Sequence, residues 1–282
     1  MQSHMKPVRE KLGGKKAADI TEEMVTRYQR DRIDHVSKST VNRECQLIGQ
    51  ALNKFAYPTI ISRPIRIRKL AESPAREDFF EPGEVESVIV FLPDYLRDLV
   101  RFAWLSGWRK QECTTLTWDC VSFSSKEIRL KPQNSKNREG RILPMTPTLV
   151  SLMQRRIEDR IEECPYVFHR RGEFIRDFRK AWYTATKQAS CTGRVFHALR
   201  RSSIRDRIRN GVHERVAMSI SGHKTRSVFD LYNITNVKDM RDALLKTEKY
   251  QDQRRTEGKT VVSIQQGKMT IAYPAEEDPE DV

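Results

Sequence analysis

The sequence predicts a mainly α-helical protein with one small antiparallel β-sheet, and three patterns carry that prediction. Apolar residues recur at three- and four-residue spacing from Thr21 to Ala56 and again from Glu81 to Trp104. Between Trp118 and Met145 the pattern changes to short β-like runs, with Pro132, Asn134, Asn137 and Gly140 as turn residues. From Thr148 to about Gln251 the spacing is helical again.

In chain order, Met24, Val25 and Tyr28, then Val41, Cys45, Ile48, Leu52 and Phe55, mark two amphipathic helices separated by residues 34–39. Residues 61–70 follow Tyr57-Pro58 and carry Pro64 and four basic side chains, a composition suited to an extended linker along a phosphate backbone. A boundary near residue 75 divides a small helical domain, 1–75, from a larger one, 76–254. The second domain opens at Glu81-Pro82-Gly83-Glu84, where proline fits a first helical turn and Val85, Val88, Ile89 and Leu92 share a face. Leu96, Leu99, Val100, Ala103 and Trp104 define the next helix, which stops at Ser106-Gly107. The runs 121–123, 127–130 and 141–143 predict the sheet, with Lys136 on the turn before its last strand. Breaks at 170–172, 191–193, 210–211 and 221–222 interrupt the helical C-terminal half. Residues 255–282 mix a strand-like Thr260–Ile264 with an acidic terminus and read as a loosely ordered or partner-docking tail.

Charge narrows the class of partner. Fifty-two Lys and Arg against 38 Asp and Glu leave a net charge of +14, the footprint of a protein that binds a polyanion. Residues 1–75 hold 15 basic and 8 acidic side chains, whereas residues 255–282 hold 3 and 6, so the start suits DNA and the end does not. No apolar run approaches the roughly 20 residues needed to span a bilayer, and the first ten residues lack a secretory apolar stretch. Five widely spaced cysteines, odd in number and without a C-x-x-C pair, argue against a disulfide framework or a zinc site and read as reduced thiols.

The chemistry lies in a spread-out set: Arg109, Lys136, His197, Arg200, His223 and Tyr232. These supply two guanidiniums, an ammonium, two imidazoles and a phenol. Phosphoryl transfer passes through a highly charged transition state, so fixed cations facing the non-bridging oxygens contribute most. Guanidinium stays charged and binds phosphate in bidentate fashion. No clustered carboxylates of the metal-nuclease kind are present, so the expectation is a reaction with no cofactor and no metal. His197 and Arg200 are three residues apart and share a helix face, with Leu199, Ile204 and Ile208 free to anchor the other side.

Taken in order, Gly107-x-Arg109-x-x-Glu112, the run Ser135–Pro144 around Lys136, His197-Ala-Leu-Arg200-Arg201, and Ser221-Gly-His223 leading to Tyr232 resemble the tyrosine recombinase, or phage integrase, family of site-specific DNA recombinases. The resemblance covers roughly Gly13 to Gln251. It implies a helical core-binding domain followed by a tyrosine-recombinase catalytic domain. It also implies cleavage and rejoining of duplex DNA through a 3′-phosphotyrosyl link made by Tyr232. Arg109, Arg200 and His223 would stabilise the transition state, Lys136 would protonate the departing 5′-oxygen, and His197 would accept the tyrosine proton or hold the phosphate. Lys38, Arg43, Arg66, Arg68, Lys69 and Arg201 are the candidate DNA contacts. Implied partners are double-stranded DNA, a homotetramer on two sites and accessory DNA-bending proteins, with no membrane; the implied setting is the cytoplasm of a bacterium or phage host. A relaxing type IB topoisomerase and a non-catalytic integrase remnant are the rival readings.

Three positions depart from the family pattern: Gln111 stands where glycine is frequent, Ala198 where aspartate is common, and Asn233 where histidine often follows the tyrosine. Lys126, Lys131 and Arg138 compete with Lys136 in the hairpin. The stretch Leu12–Ile20 resembles the turn after the family's first core-binding helix, so that helix is expected to be missing and the domain N-terminally shortened. Val237–Lys246 reads as an amphipathic helix, docked either on its own core or on a neighbouring protomer.

Overall fold

The computed structural model describes residues 2–72, 78–135, 138–230, 237–257, 262–265 and 268–271. The chain divides into two compact units, Met1–Arg76 and Glu77–Val282. No helix among the described residues is long and apolar enough to cross a membrane.

The first unit packs α1 (Gln2–Leu12), α2 (Glu22–Ile33) and α3 (Lys38–Ala51) around Val8, Leu12, Val25, Tyr28, Val41, Cys45 and Ile48. Helix α1 corrects the expectation that the helix before Leu12 is missing. It escaped the sequence reading because it is polar, holds Pro7, and among its described side chains buries only Val8 and Leu12, four residues apart. Thr21 and Ser37 start α2 and α3, their hydroxyls accepting from Met24 N (3.2 Å) and Thr40 N (3.4 Å). Helix α3 runs into a π-helical turn, Leu52–Ala56, in which Tyr57 N reaches back to Leu52 O at 3.0 Å. The wider ladder keeps Leu52 and Ala56 inside but turns Phe55 out to 75% exposure, against its predicted place on the apolar face.

Residues 61–72 form no regular element, as expected, yet their backbone is fixed by side chains. Asn53 brackets Ile65, donating Nδ2–H to its carbonyl (2.9 Å) and accepting its N–H (2.7 Å). Asn42 treats Leu70 the same way at 3.0 and 2.8 Å, and Gln29 donates to Arg68 O at 2.9 Å. Ile65, Ile67 and Leu70 face the core while Arg66, Arg68 and Lys69 face solvent. Beneath them Glu44, 1% exposed, accepts from Tyr28 Oη (2.7 Å) and from Arg32 Nε and Nη2 (3.0 and 2.8 Å).

The second unit is built on α4 (Pro82–Phe91), α5 (Asp94–Ser106), α7 (Pro147–Glu158), α8 (Arg179–Gln188) and α9 (His197–Arg209), with short α6 (Lys110–Thr114), α10 (Glu214–Ser221) and α11 (Arg226–Asp230). Pro82 opens α4 at its first turn, and Glu84 accepts the Glu81 N–H at 2.8 Å, closing a capping box. The largest core cluster gathers Phe80, Leu96, Leu99, Phe102, Trp108, Ile128, Leu152, Phe168 and Leu199. On its flank lies the predicted sheet, β1 (Val121–Ser122), β2 (Glu127–Leu130) and β3 (Arg141–Pro144), antiparallel in the order β1-β2-β3. A second hairpin, β4 (His169–Arg170) with β5 (Glu173–Phe174), lies inside the stretch read as helical, because two-residue strands leave no periodic trace. Helix α12 (Val237–Glu257) extends eleven residues past the predicted Lys246, and β6 (Val262–Gln265) pairs with β7 (Lys268–Ile271) where one strand was expected.

Candidate active site

Two glycine-terminated helices bring four of the six predicted groups together. Helix α5 ends at Gly107 (φ 67°) and α10 at Gly222 (φ 72°), left-handed conformations that favour glycine and reverse the chain. Each turn leaves carbonyls without helical partners, and these receive the arginines.

Arg200, 2% exposed on the first turn of α9, donates from Nη1 to Gly107 O (2.7 Å) and Ser221 O (2.6 Å), tying the two helix ends together. Its Nη2 lies 2.9 Å from Nε2 and 3.1 Å from Nδ1 of His223. Ser221 Oγ donates to Ala217 O at 2.7 Å and lies 2.8 Å from His223 Nδ1. Its proton being committed to Ala217, Ser221 accepts from Nδ1–H, which leaves Nε2 as the acceptor for Arg200 and assigns a neutral imidazole. Burial, then the charges of Arg200 and Arg109, push the His223 pKa down to about 3.

Arg109 is the N-cap of α6. Its N–H and Nη1 donate to Oε2 (2.9 Å) and Oε1 (2.8 Å) of Glu112, and its Nη2 reaches Gly222 O at 3.5 Å. The two arginines therefore meet at adjacent carbonyls, 221 and 222, at the negative end of the α10 dipole. Glu112 is 1% exposed and is also held by Arg141, whose Nη2 lies 2.5 Å from Oε2. Burial raises the Glu112 carboxyl pKa, but hydrogen bonds and charge from Arg141 and then Arg109 outweigh it and keep the group ionised.

His197 begins α9 and shares the face of Arg200, as its spacing predicts; Leu199 is buried in the main core on the other side, whereas Ile204, four residues after Arg200, is buried on the same face in a separate cluster with Ala217 and Phe229. Burial and the charges of Arg200, Arg201 and Arg109 lower its pKa to about 4, so it too is a neutral imidazole at physiological pH. Beside it Lys110 lies with Nζ 4.1 Å from the centre of the Phe178 ring, and burial lowers its pKa.

Arg109, His197, Arg200 and His223 are thus brought into one electrostatic neighbourhood. Lys136 and Tyr232 lie outside the described residues. Of the competing hairpin cations, Lys131 is ion-paired with Asp119, while Lys126 and Arg138 are exposed at positive φ. Lys38, Arg43, Arg66, Arg68 and Lys69 all project into solvent from the first unit. Arg201, expected at the DNA surface, instead pairs with Asp78 at 2.9 Å with its side chain 17% exposed; one residue past Arg200, it is carried round the helix toward the segment before α4. Among the described residues no cluster of three or more His, Cys, Asp or Glu could hold a metal ion.

Arg141 and Ser221 stand within the motif runs but receive no role from the sequence alone. The signal for Arg141 lies in the strand period: Leu143 is 5% exposed and Ile142 50%, so Arg141 shares the inward face with Leu143. An arginine at an inward position needs a buried partner, and Glu112 is that partner. Ser221 carries no comparable mark, since its role depends on a helix end that only the fold defines.

Fold and site together define a mainly helical catalytic domain of the tyrosine-recombinase type. Residues 78–238, more than half of the chain, match the profile of the phage integrase family, and the chain belongs to that family. The tyrosine recombinase XerA of Pyrococcus horikoshii is 25% identical over 214 residues, covering 73% of this chain and 74% of the relative. A lambda integrase dimer bound to a COC′ core site superposes with a TM-score of 0.69 at 17% identity, over 83% of this chain and 70% of that one. The Tn1549 transposon integrase (aa 82–397) in complex with circular intermediate DNA gives 0.69 at 15% identity, over 84% and 89%.

Proposed function

We propose that the protein performs site-specific recombination of duplex DNA by the tyrosine mechanism, with Arg109, Arg200 and His223 forming the phosphate pocket. The observation that carries this reading is the convergence of the two guanidiniums on adjacent carbonyls of one helix end, beside a histidine that shares Arg200. Those carbonyl bonds hold the arginines in place without neutralising them, and Arg109, paired with Glu112 through Nη1, keeps Nη2 turned toward the Gly222 end of the pocket.

In this reading the Tyr232 phenol oxygen attacks the scissile phosphorus, the new O–P bond forms as the P–O5′ bond breaks, and the strand end leaves as a 5′-hydroxyl. Lys136 donates the proton that the departing oxygen needs, and neutral His197 accepts the one that the phenol loses. Attack by another strand's 5′-hydroxyl reverses the step, so the bond energy is conserved in the phosphotyrosine and no ATP is required. Lys38, Arg43, Arg66, Arg68 and Lys69 supply sequence-independent phosphate contacts. Helix α12 leaves Val237, Met240, Leu244 and Leu245 between 48% and 69% exposed, an apolar surface suited to contact between protomers of a tetramer on two sites.

The test begins with a duplex selected from a randomised pool by binding to the protein. A nicked form of that duplex traps cleavage as a denaturation-resistant adduct. The wild type should form it and Tyr232→Phe should bind without forming it. An undiminished adduct from the variant, or none from the wild type, overturns the reading. Relaxation of a supercoiled plasmid lacking the selected sequence would instead favour the topoisomerase.

A further inference from the structure

Arg141 is the third guanidinium of the site, and it comes from a different element than the other two. It is the first residue of β3, in register with Leu130 on β2, so the sheet fixes its backbone. Its side chain, 10% exposed, makes two contacts that matter. The guanidinium lies 4.8 Å from the centre of the Trp108 ring, and it spans both oxygens of Glu112, with Nη2 2.5 Å from Oε2 and Nη1 3.5 Å from Oε1. It also presses on the α10 turn, where a Cβ at Gly222 would collide with it. Its Nε–H is buried without an acceptor among the described residues, so Glu112 and the indole face hold it.

Glu112 consequently divides its acceptor capacity. Oε1 takes Nη1 of Arg109 and a long bond from Arg141; Oε2 takes the Arg109 backbone N–H and the short bond from Arg141. This arrangement leaves Arg109 with a one-point side-chain bond to the carboxylate and its Nη2 turned toward Gly222, facing the His223 turn. A buried carboxylate stripped of Arg141 would recover its lost partner from the nearest guanidinium, closing on Arg109 in a two-point pair and drawing Nη2 away from the phosphate pocket.

We propose that Arg141 is a positioning residue for the recombination reaction: by occupying one side of Glu112 it holds Arg109 in the orientation that meets the scissile phosphate. This rests on the recombinase reading above. Arg141 touches no reacting atom in this scheme and acts through Glu112 and Arg109. The hydrogen bond and charge of Arg141 come first among the influences that keep the Glu112 carboxyl ionised, ahead of those of Arg109, in accord with that division.

The test uses the full chain, the selected nicked duplex, and a second duplex in which a methyl group replaces one non-bridging oxygen of the scissile phosphate. That substrate carries no charge there and has less need of a guanidinium. Arg109→Ala should lose adduct formation on the phosphodiester by about a hundredfold and much less on the methylphosphonate. Arg141→Met should show the same substrate-selective loss, of about tenfold or more, with DNA affinity unchanged, and the double variant should be no worse than Arg109→Ala alone. Arg141→Lys should recover part of the rate, since an ammonium pairs with Glu112 at one point only. In DNA-free protein labelled with ¹⁵N-arginine, the Arg109 side-chain signal, assigned by its loss in Arg109→Ala, should move in Arg141→Met. Equal losses on both substrates, additive losses in the double variant, or an unmoved Arg109 signal in a folded Arg141→Met would overturn the positioning role. A wild type that forms no adduct on either duplex overturns the recombinase reading itself and this role with it.

Discussion

Arg200 Nη2 and His223 Nε2 lie 2.9 Å apart although the residues are 23 positions apart in sequence. A guanidinium can only donate, so the contact requires the imidazole to accept, and the histidine of this site is neutral by construction. The consequence is a site in which permanent charge resides on arginine and proton-accepting capacity on histidine.

The first prediction concerns pH. His223 and His197 have pKa values lowered to about 3 and about 4, below the ordinary value of 6.5. Between those values and 6.5 the unfolded chain binds protons that the folded one does not, so stability is full above pH 6.5 and falls as pH drops toward 4. NMR titration of DNA-free protein should find both imidazoles neutral down to pH 5. A histidine of this pair titrating near 6.5 would sink the assignment.

A second prediction addresses the leaving group. Lys136→Ala should slow cleavage of the selected duplex, and replacing the scissile 5′-oxygen with sulfur, which departs without a proton, should restore the rate. Absence of rescue would transfer the acid role elsewhere.

The turn at Gly222 gives a third. Gly222→Ala adds a Cβ at φ 72° and drives it into the Arg141 guanidinium, so about 1–2 kcal/mol of backbone strain joins a displaced Arg141. Thermal unfolding should shift down and adduct formation should fall on the phosphodiester. A variant with wild-type melting and wild-type rate would show that the turn tolerates the side chain.

In the first unit, Arg32→Met leaves the Glu44 carboxylate buried with Tyr28 as its remaining partner, and should destabilise that unit by about 3–5 kcal/mol. Burial pushes the Glu44 carboxyl pKa up, but hydrogen bonds from Arg32 and Tyr28 outweigh it and hold it low. Wild-type stability from this pair is therefore present above about pH 4.5 and lost on acidification. The double variant Arg32→Met/Glu44→Leu should regain most of the loss. Denaturant unfolding of both measures it, and a double variant as unstable as the single one would count against a buried ion pair.

Salt dependence offers a fifth. Replacing Arg66, Arg68 and Lys69 with alanine should reduce the slope of log affinity against log salt by about 0.9 for each phosphate contact removed. Their side chains point outward while asparagines grip the neighbouring backbone, so melting should not change. An unaltered slope would take these residues off the DNA.

Much of the scaffold was legible because its determinants are local. Thr21, Pro82 and Gly107 announce helix starts and an end in the residues themselves, and the run Arg141–Leu143 announces the last sheet strand. What was hidden depends on partners distant in sequence. Helix α1 gains its stability from packing on α3, Phe55 leaves the core through a π-helical turn that side-chain spacing does not reveal, and β4 with β5 is too short to set a period. Within the site, Arg109, His197, Arg200 and His223 were readable as motif residues, whereas Arg141 and Ser221 acquire meaning only when Glu112 and His223 fold against them. Arg201 is the converse case: read as a DNA contact from its place beside Arg200, it stands in the folded protein as the ion-pair partner of Asp78, which no sequence spacing announces.

The five thiols also shape what can be done with the molecule at the bench. Cys45, Cys113, Cys120, Cys164 and Cys191 are each 4% exposed or less, and burial pushes the Cys45 pKa up to about 11 and raises those of Cys113 and Cys191. Thiolate is the reactive form, so maleimides find little to attack in the native protein at neutral pH. A single exposed replacement such as Lys249→Cys on α12 would then carry a fluorophore without any prior removal of native cysteines, giving a ready reporter for following individual protomers on DNA.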